Sequence, residues 1–193
     1  MNRGNQLAAV ILAAGASQRM GRPKAALVYD GESFLARAVR LFSPLCDPVV
    51  VVLPPAGMIC PPGVLCTVNP APERGMLSSL QCGFRAVPDR AEQVFFMPVD
   101  LPAISGATVA ALAEHAGTAP LILPRYEGRR GHPVLVRRDL IPEFLALSPS
   151  AQARDIVERH EGEIRYVDVN DPGILADVDT PADYERITAG IAR

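Results

Sequence analysis

The stretch Leu7-Ala8-Ala9-Val10-Ile11-Leu12, followed at once by Ala13-Ala14-Gly15-Ala16-Ser17-Gln18-Arg19-Met20-Gly21-Arg22-Pro23-Lys24, decides how the rest of the chain is read. Leu7–Leu12 is an unbroken apolar run, the pattern of a strand buried on both faces. The loop that leaves it is small-residued and basic. Arg3 ahead of the run Leu7 to Ala14 has the outline of a signal peptide, but the run is short even for an h-region and far below the ~20 residues of a membrane span. It is read as a buried first strand.

Working outward, the pattern alternates strand and helix. Phe34, Leu35, Ala38, Leu41 and Phe42 recur at helical spacing, with Arg37 and Arg40 on the other face and Ser33 placed to cap. Strands are expected at Val49–Leu53, Val64–Val68, Val94–Met97 and Ile164–Val169, with short strands Leu121–Leu123 and Val134–Val136 around an arginine-rich loop. Helices are expected from Met76 to Val87, from Ser105 through His115, near Leu140–Leu147, over Ala151–Arg159 and over Ala182–Ile191. Repeated β-α-β order implies an α/β fold, a mainly parallel twisted sheet with helices on both faces. In such folds ligands sit beyond the carboxyl ends of the strands, so the loops after Leu12, Val68 and Met97 should share one rim.

The chain of 193 residues suits one domain spanning 1–193. A hydrophobic share of 49% argues against disorder, and a net charge of −2 argues against a general nucleic-acid binder. Cys46, Cys60, Cys66 and Cys82 form no C-x-x-C pair and have no zinc-spaced histidine. They are read as reduced thiols of a cytoplasmic protein. No segment is long and apolar enough to cross a membrane.

The first loop has the chemistry of an anion site. Small residues let backbone N–H groups approach a ligand, and Arg19, Arg22 and Lys24 bring positive charge beside them. Together these suit a triphosphate. Gly15 and Gly21 have the wrong spacing for a Walker A loop, and Ala25 stands where Ser or Thr would follow the lysine. Asp100, between Pro98 and Pro102 at a strand's carboxyl end, is placed for Mg²⁺; the plain alternative is a turn or capping aspartate. Asp177 and Asp179 alternate as on a strand and would then share a face, while Thr180 and Pro181 read as a helix start with Asp183 as its dipole partner.

The string L-A-A-G-x-S-x-R-M-G-x-P-K over Leu12 to Lys24 resembles the signature of the MobA/MocA-like molybdenum-cofactor nucleotidyltransferases, most closely the MocA-like branch. N-P…S-S from Asn69, P-x-D-x-P around Asp100, G-H-P from Gly131 and D-x-D-T-P from Asp177 follow in the same order. The resemblance implies a Rossmann-like nucleotide-diphospho-sugar transferase fold. It implies that Leu12, Ala13, Ala14, Gly15, Ser17, Arg19, Gly21, Lys24, Asn69 and Ser79 bind the nucleotide, with Arg19, Lys24 and Asp100 catalytic. Asp100 is implied to hold Mg²⁺ (Mn²⁺ also accepts such oxygen ligands), with Asp177 or Asp179 as second contact. Gly75, Ser78, Arg130, Gly131 and His132 are implied to receive a phosphorylated acceptor.

The activity so implied is nucleotidyl transfer from a nucleoside triphosphate to the phosphate of molybdopterin, with a molybdoenzyme as the eventual partner. In the family an A-A-G form accompanies cytosine, and the methyl of Ala14 is expected to narrow the base pocket, which favours CTP. A sugar or polyol phosphate as acceptor and a non-catalytic nucleotide- or cofactor-binding module are the alternatives.

Overall fold

The computed structural model describes residues 7–15, 18–55 and 58–190. Its elements in chain order are β1 (Leu7–Leu12), β2 (Val28–Tyr29), β3 (Glu32–Ser33), α1 (Phe34–Phe42), β4 (Val49–Leu53), β5 (Leu65–Val68), α2 (Met76–Ala86), β6 (Gln93–Pro98), α3 (Gly106–Glu114), β7 (Leu121–Tyr126), β8 (Arg129–Arg130), β9 (Val134–Arg137), α4 (Ile141–Ala146), α5 (Ala153–Arg159), β10 (Ile164–Asp168) and α6 (Pro181–Thr188). Single 3₁₀ turns lie between them, among them Pro172–Leu175.

One sheet orders its strands β10-β7-β9-β6-β1-β4-β5, with β8 paired to β7; β2 and β3 form a separate hairpin. β1 is parallel to both β4 and β6, β4 to β5, and β7 to β10. β9 runs against both β6 and β7, and β8 against β7. The carboxyl ends of β1, β4, β5 and β6 therefore open on one rim.

The continuous apolar strands are explained by two cores, one on each face. Ala9, Ile11, Val51 and Phe95 face α1 through Phe34, Leu35, Ala38 and Phe42, and α3 through Val109 and Leu112. Val10, Leu12, Val52 and Phe96 face α2 through Leu77, Leu80 and Phe84, and α4 and α5 through Phe144 and Ile156. Alternation of side chains across the pleat sends neighbours into opposite cores, so a strand covered twice must be apolar throughout. The helix starts follow local chemistry. The Ser33 side chain accepts from Ala36 N at 3.1 Å, and Thr180 with Asp183 forms a reciprocal capping box at α6.

Three sequence expectations are corrected. The strands around the arginine-rich loop are longer, β7 and β9, and β8 folds back on β7 within that loop. Asp177 and Asp179 do not lie on a strand; the chain there is irregular, held by cross-links to other segments, so strand alternation does not set where they point. Cys60 and Cys66 are joined as a disulfide, not reduced; their Cα atoms lie 6.0 Å apart across a short loop, a separation set by the chain's return and not by a C-x-x-C spacing. Cys46 and Cys82 are free thiols, and burial pushes Cys46 up to about 12. Among the described residues no helix is long and apolar enough to cross a membrane.

α2 approaches the sheet closely because Gly83 has no side chain: a Cβ there would lie 2.3 Å from Val10 Cγ1 and 3.0 Å from Val52 Cγ2. Gly83→Ala should destabilise the fold by about 1–3 kcal/mol through overpacking. Calorimetry should register a lower melting temperature, and an unchanged one would show that α2 has slack.

Candidate functional site

The rim is assembled by backbone bonds between loops distant in sequence. Ala13 N donates to Val52 O at 2.9 Å and Val99 N to Leu12 O at 3.1 Å, so the first loop sits between those after β4 and β6. Val178 N donates to Asp100 O at 2.9 Å, which draws the second acidic segment onto the first. The 98–102 turn is also held by Arg37, whose Nε donates to Pro102 O at 2.9 Å.

These loops enclose a cavity of about 460 Å³ lined by Leu12, Ala13, Gly15, Arg19, Lys24, Ala25, Pro72, Glu73, Gly75, Met76, Ser79, Pro98, Val99, Asp100 and Asp179. At its centre Lys24 Nζ donates to Asp100 Oδ2 at 2.8 Å and to Asp179 Oδ1 at 2.5 Å. Arg19 Nη2 lies 3.3 Å from the other Asp179 oxygen. Burial alone would lower the Lys24 value, but hydrogen bonds and charge from the two aspartates outweigh it, and the ammonium is held above its ordinary range. Asp179 is held below the usual carboxylate range, first by its bond to Lys24 and then by the charges of Lys24 and Arg19, against the opposing effect of burial.

The opposite wall is the amino end of α2. Gly75 precedes it at φ 89°, a conformation L side chains rarely adopt, and provides no side-chain cap. The first-turn N–H groups are thus available to an anion. Asn69, fully buried, sets this turn: its Nδ2 donates to Ser78 Oγ at 2.8 Å and Ser79 Oγ at 2.9 Å, and its Oδ1 accepts from Ala71 N at 3.0 Å.

Of the residues expected to bind nucleotide, Leu12, Ala13, Gly15, Arg19, Lys24 and Ser79 line this cavity, and Asn69 supports it from behind. Ser17 lies outside the described residues. Ala14 is corrected: it is 1% exposed and packs in the α2-side core, so its methyl does not narrow the cavity. Gly21 makes a turn at φ 66° and is not in the lining. Of the expected acceptor residues, Gly75 lines the cavity, while Ser78 turns to Asn69 and to Gly75 O. Arg130 does not reach it; it lies in a groove on the other face of the β7–β8 hairpin, with Glu158 at 4.0 Å. Gly131 is packed against Ile174. Pro72, Glu73 and Met76 were not foreseen, because only the path of the β5–α2 connection brings them over the first loop.

Asp100 and Asp179 converge on one cation position, now taken by the Lys24 ammonium. Among the described residues no group of three or more His, Cys, Asp or Glu could hold a metal ion. Two carboxylates open to phosphate oxygens and water fit the donor set Mg²⁺ or Mn²⁺ takes beside a triphosphate. Asp177 does not line this cavity; it lines a neighbouring one, which Asp179 borders as well.

His132 does not face the first cavity. Its Nδ1 is buried without a hydrogen-bond partner among the described residues, and its ring packs edge-on against Phe96 at 6.0 Å. Burial lowers its value to about 4, against the weaker effects of a Phe96 backbone bond and the Asp177 charge. The unfolded chain, at an ordinary 6.5, therefore takes up the proton first as pH falls. Stability should drop between pH 6.5 and 4, by up to about 2 kcal/mol from pH 7 to pH 5. Urea unfolding should show that loss in the native chain and not in His132→Leu.

Residues 9–164 match the model of the MobA-like NTP transferase domain. The chain is 32% identical over 180 residues to a 2-C-methyl-D-erythritol 4-phosphate cytidylyltransferase of Deinococcus radiodurans, covering 88% of this chain and 75% of that protein. It is 31% identical to a nicotine blue oxidoreductase of Paenarthrobacter nicotinovorans, covering 92% and 94%, and 29% identical to a probable molybdenum cofactor guanylyltransferase of Mycobacterium ulcerans, covering 92% and 90%. Among solved structures, Rv0371C of Mycobacterium tuberculosis in complex with manganese superposes with a TM-score of 0.80 at 23% identity, covering 95% of this chain and 98% of that one. The chain belongs to the MobA-like NTP transferase family and is a nucleotidyltransferase of that type.

Proposed function

We propose that this chain moves a nucleoside monophosphate, CMP from CTP, onto the phosphate of molybdopterin and releases pyrophosphate. The observation that carries the reading is the Lys24 ammonium bonded to both Asp100 and Asp179 inside a cavity walled by a helix amino end. Small backbone groups, a buried cation, a second cation at Arg19 and unspent N–H groups suit a triphosphate.

A terminal phosphate is already anionic at neutral pH, so the acceptor needs no strong base to attack the α-phosphorus. The obstacle is repulsion between two anions. Lys24 and Arg19 neutralise charge that grows on the departing pyrophosphate, and the amino end of α2 orients the phosphates. Asp100 and Asp179 would hold a divalent cation, which when bound supplies Lewis-acid polarisation of the phosphate.

CTP rests on the A-A-G resemblance and on the D. radiodurans cytidylyltransferase; the packing of Ala14 does not contribute. That same relative, named for a polyol phosphate, favours a second reading in which the chemistry is kept and the acceptor is a polyol phosphate. Pyrophosphate release from CTP, GTP, ATP and UTP, each with Mg²⁺ and molybdopterin or 2-C-methyl-D-erythritol 4-phosphate, separates the readings. Release with CTP and molybdopterin is expected; release with none of these pairs would favour a binding module.

Two variants test the machinery. Lys24→Ala and Asp100→Ala should each lower kcat by about 10²-fold or more while the chain still folds, as circular dichroism would show. Because the ammonium sits where the two carboxylates converge, Lys24→Met should bind Mn²⁺ more tightly than the native chain without nucleotide, read by electron paramagnetic resonance. Equal or weaker Mn²⁺ binding would separate the metal position from the lysine.

A further inference from the structure

A second cavity, of about 420 Å³, adjoins the first and shares Arg19 and Asp179 with it as a common wall. Its far side is built by Tyr126 and Arg129 of the β7–β8 hairpin and by Asp177. The volume is that of a small-ligand site.

The hairpin register sets which arginine reaches the cavity and which stays in the outer groove alone. Tyr126 pairs with Arg129, and Arg125 with Arg130. Cross-strand partners share a face and successive residues alternate. Tyr126 and Arg129 line the cavity and Arg125 and Arg130 do not, although Arg129 also borders the outer groove that those two line. Arg125 is spent on Asp168, at 2.7 Å.

The walls are fixed against each other. His132 N donates to Ile174 O at 3.2 Å, and a Cβ on Gly131 would lie 2.4 Å from that oxygen. Buried Asp171 accepts from Ser105 N at 2.9 Å, Thr108 Oγ1 at 2.6 Å and Gly173 N at 2.9 Å, which anchors the segment leading to Asp177.

Most charges in this cavity are already balanced. Asp183 is bonded by Thr180 and Arg186, and Asp179 by Lys24 and Arg19. Asp177, Arg129 and Glu127 have no ion-pair partner among the described residues, and all three line the same space, with Glu127 hydrogen-bonded to the Tyr126 hydroxyl.

We infer that this second cavity is the acceptor subsite, that Asp177 accepts the N–H edge of a planar heterocycle stacked on Tyr126 and Arg129, and that Asp177 is therefore a recognition residue and not a metal ligand. This rests on the reading above, which requires an acceptor phosphate to meet the triphosphate. The shared wall supplies that meeting point: an acceptor lying in the second cavity presents its phosphate to Arg19, beside the carboxylates that bind Lys24. Adjacent N–H donors of an aminopyrimidine ring match a carboxylate's two oxygens, and a flat ring gains from a tyrosine face and a guanidinium plane. A polyol phosphate has no face to stack.

The test is Asp177→Asn and Arg129→Ala, read by steady-state kinetics, by Mn²⁺ affinity in the presence of CTP, and by quenching of the intrinsic fluorescence of a free pterin. Asp177→Asn should raise the acceptor KM about tenfold or more, from loss of a charge-assisted bond, and leave the CTP KM and Mn²⁺ affinity within about twofold. Arg129→Ala should raise the acceptor KM more than Arg130→Ala does. Lower Mn²⁺ affinity in Asp177→Asn with an unchanged acceptor KM would make Asp177 a metal ligand and overturn the inference. Pterin quenching keeps the two proposals apart. Pterin bound by the native chain and lost in Asp177→Asn, with no turnover on molybdopterin, would defeat the proposed function and retain the subsite. Turnover with a pterin whose binding ignores both substitutions would defeat the subsite alone.

Discussion

Two carboxylates facing each other across a rim repel, and it is the Lys24 ammonium between Asp100 and Asp179 that allows this rim to close. The three residues come from the first loop, the turn after β6 and the irregular segment before α6. No short-range preference joins them. Their meeting requires parallel order through β6, β1 and β4, which brings those loops to one edge, and the Val178–Asp100 backbone bond, which registers the last segment against the sheet. The cation-carboxylate cluster is thus a structural clasp, and on the proposed reading it is also the chemical centre of the cavity. Groups paired with each other in the resting chain are the groups that a triphosphate and a divalent ion would redistribute, since both compete for the same partners.

The double core makes this possible. A sheet covered on both faces can turn its loops toward solvent only at its ends, and with four neighbouring strands aligned the polar ends accumulate on one side. Gly83 lets α2 lie close to β1 and β4, so that the amino end of α2 reaches the first loop instead of standing off by a side chain. Asn69 then fixes the first turn of α2 from within. Packing in the interior and anion chemistry at the rim are consecutive steps of one arrangement.

Two adjoining cavities are divided by Arg19 and Asp179, an arrangement that the proposed reading uses to join two anions. The dividing wall contains both signs of charge. On the proposed reading, the positive groups meet the phosphates, and the remaining unbalanced charges, further out, discriminate between acceptors without disturbing the clasp.

How much of this was legible in the residues follows from the range of the interactions concerned. Unbroken apolar runs, helical spacing in Phe34–Phe42, the Ser33 and Thr180 caps and the small basic loop from Ala13 to Lys24 are local patterns, readable because hydrophobic periodicity and capping act within a few residues. They determined the α/β class, the rim to search, and Lys24 and Asp100 as members of the site. Only the tertiary structure decided that Ala14 turns into the core, that Asp179 but not Asp177 reaches the first cavity, that Arg129 and not Arg130 lines the second cavity, and that Cys60 meets Cys66. Each of these depends on the register of a distant pairing or the path of an irregular segment. A shift of one residue in such a pairing reverses which side chain faces the ligand, while the local pattern that a sequence displays stays the same.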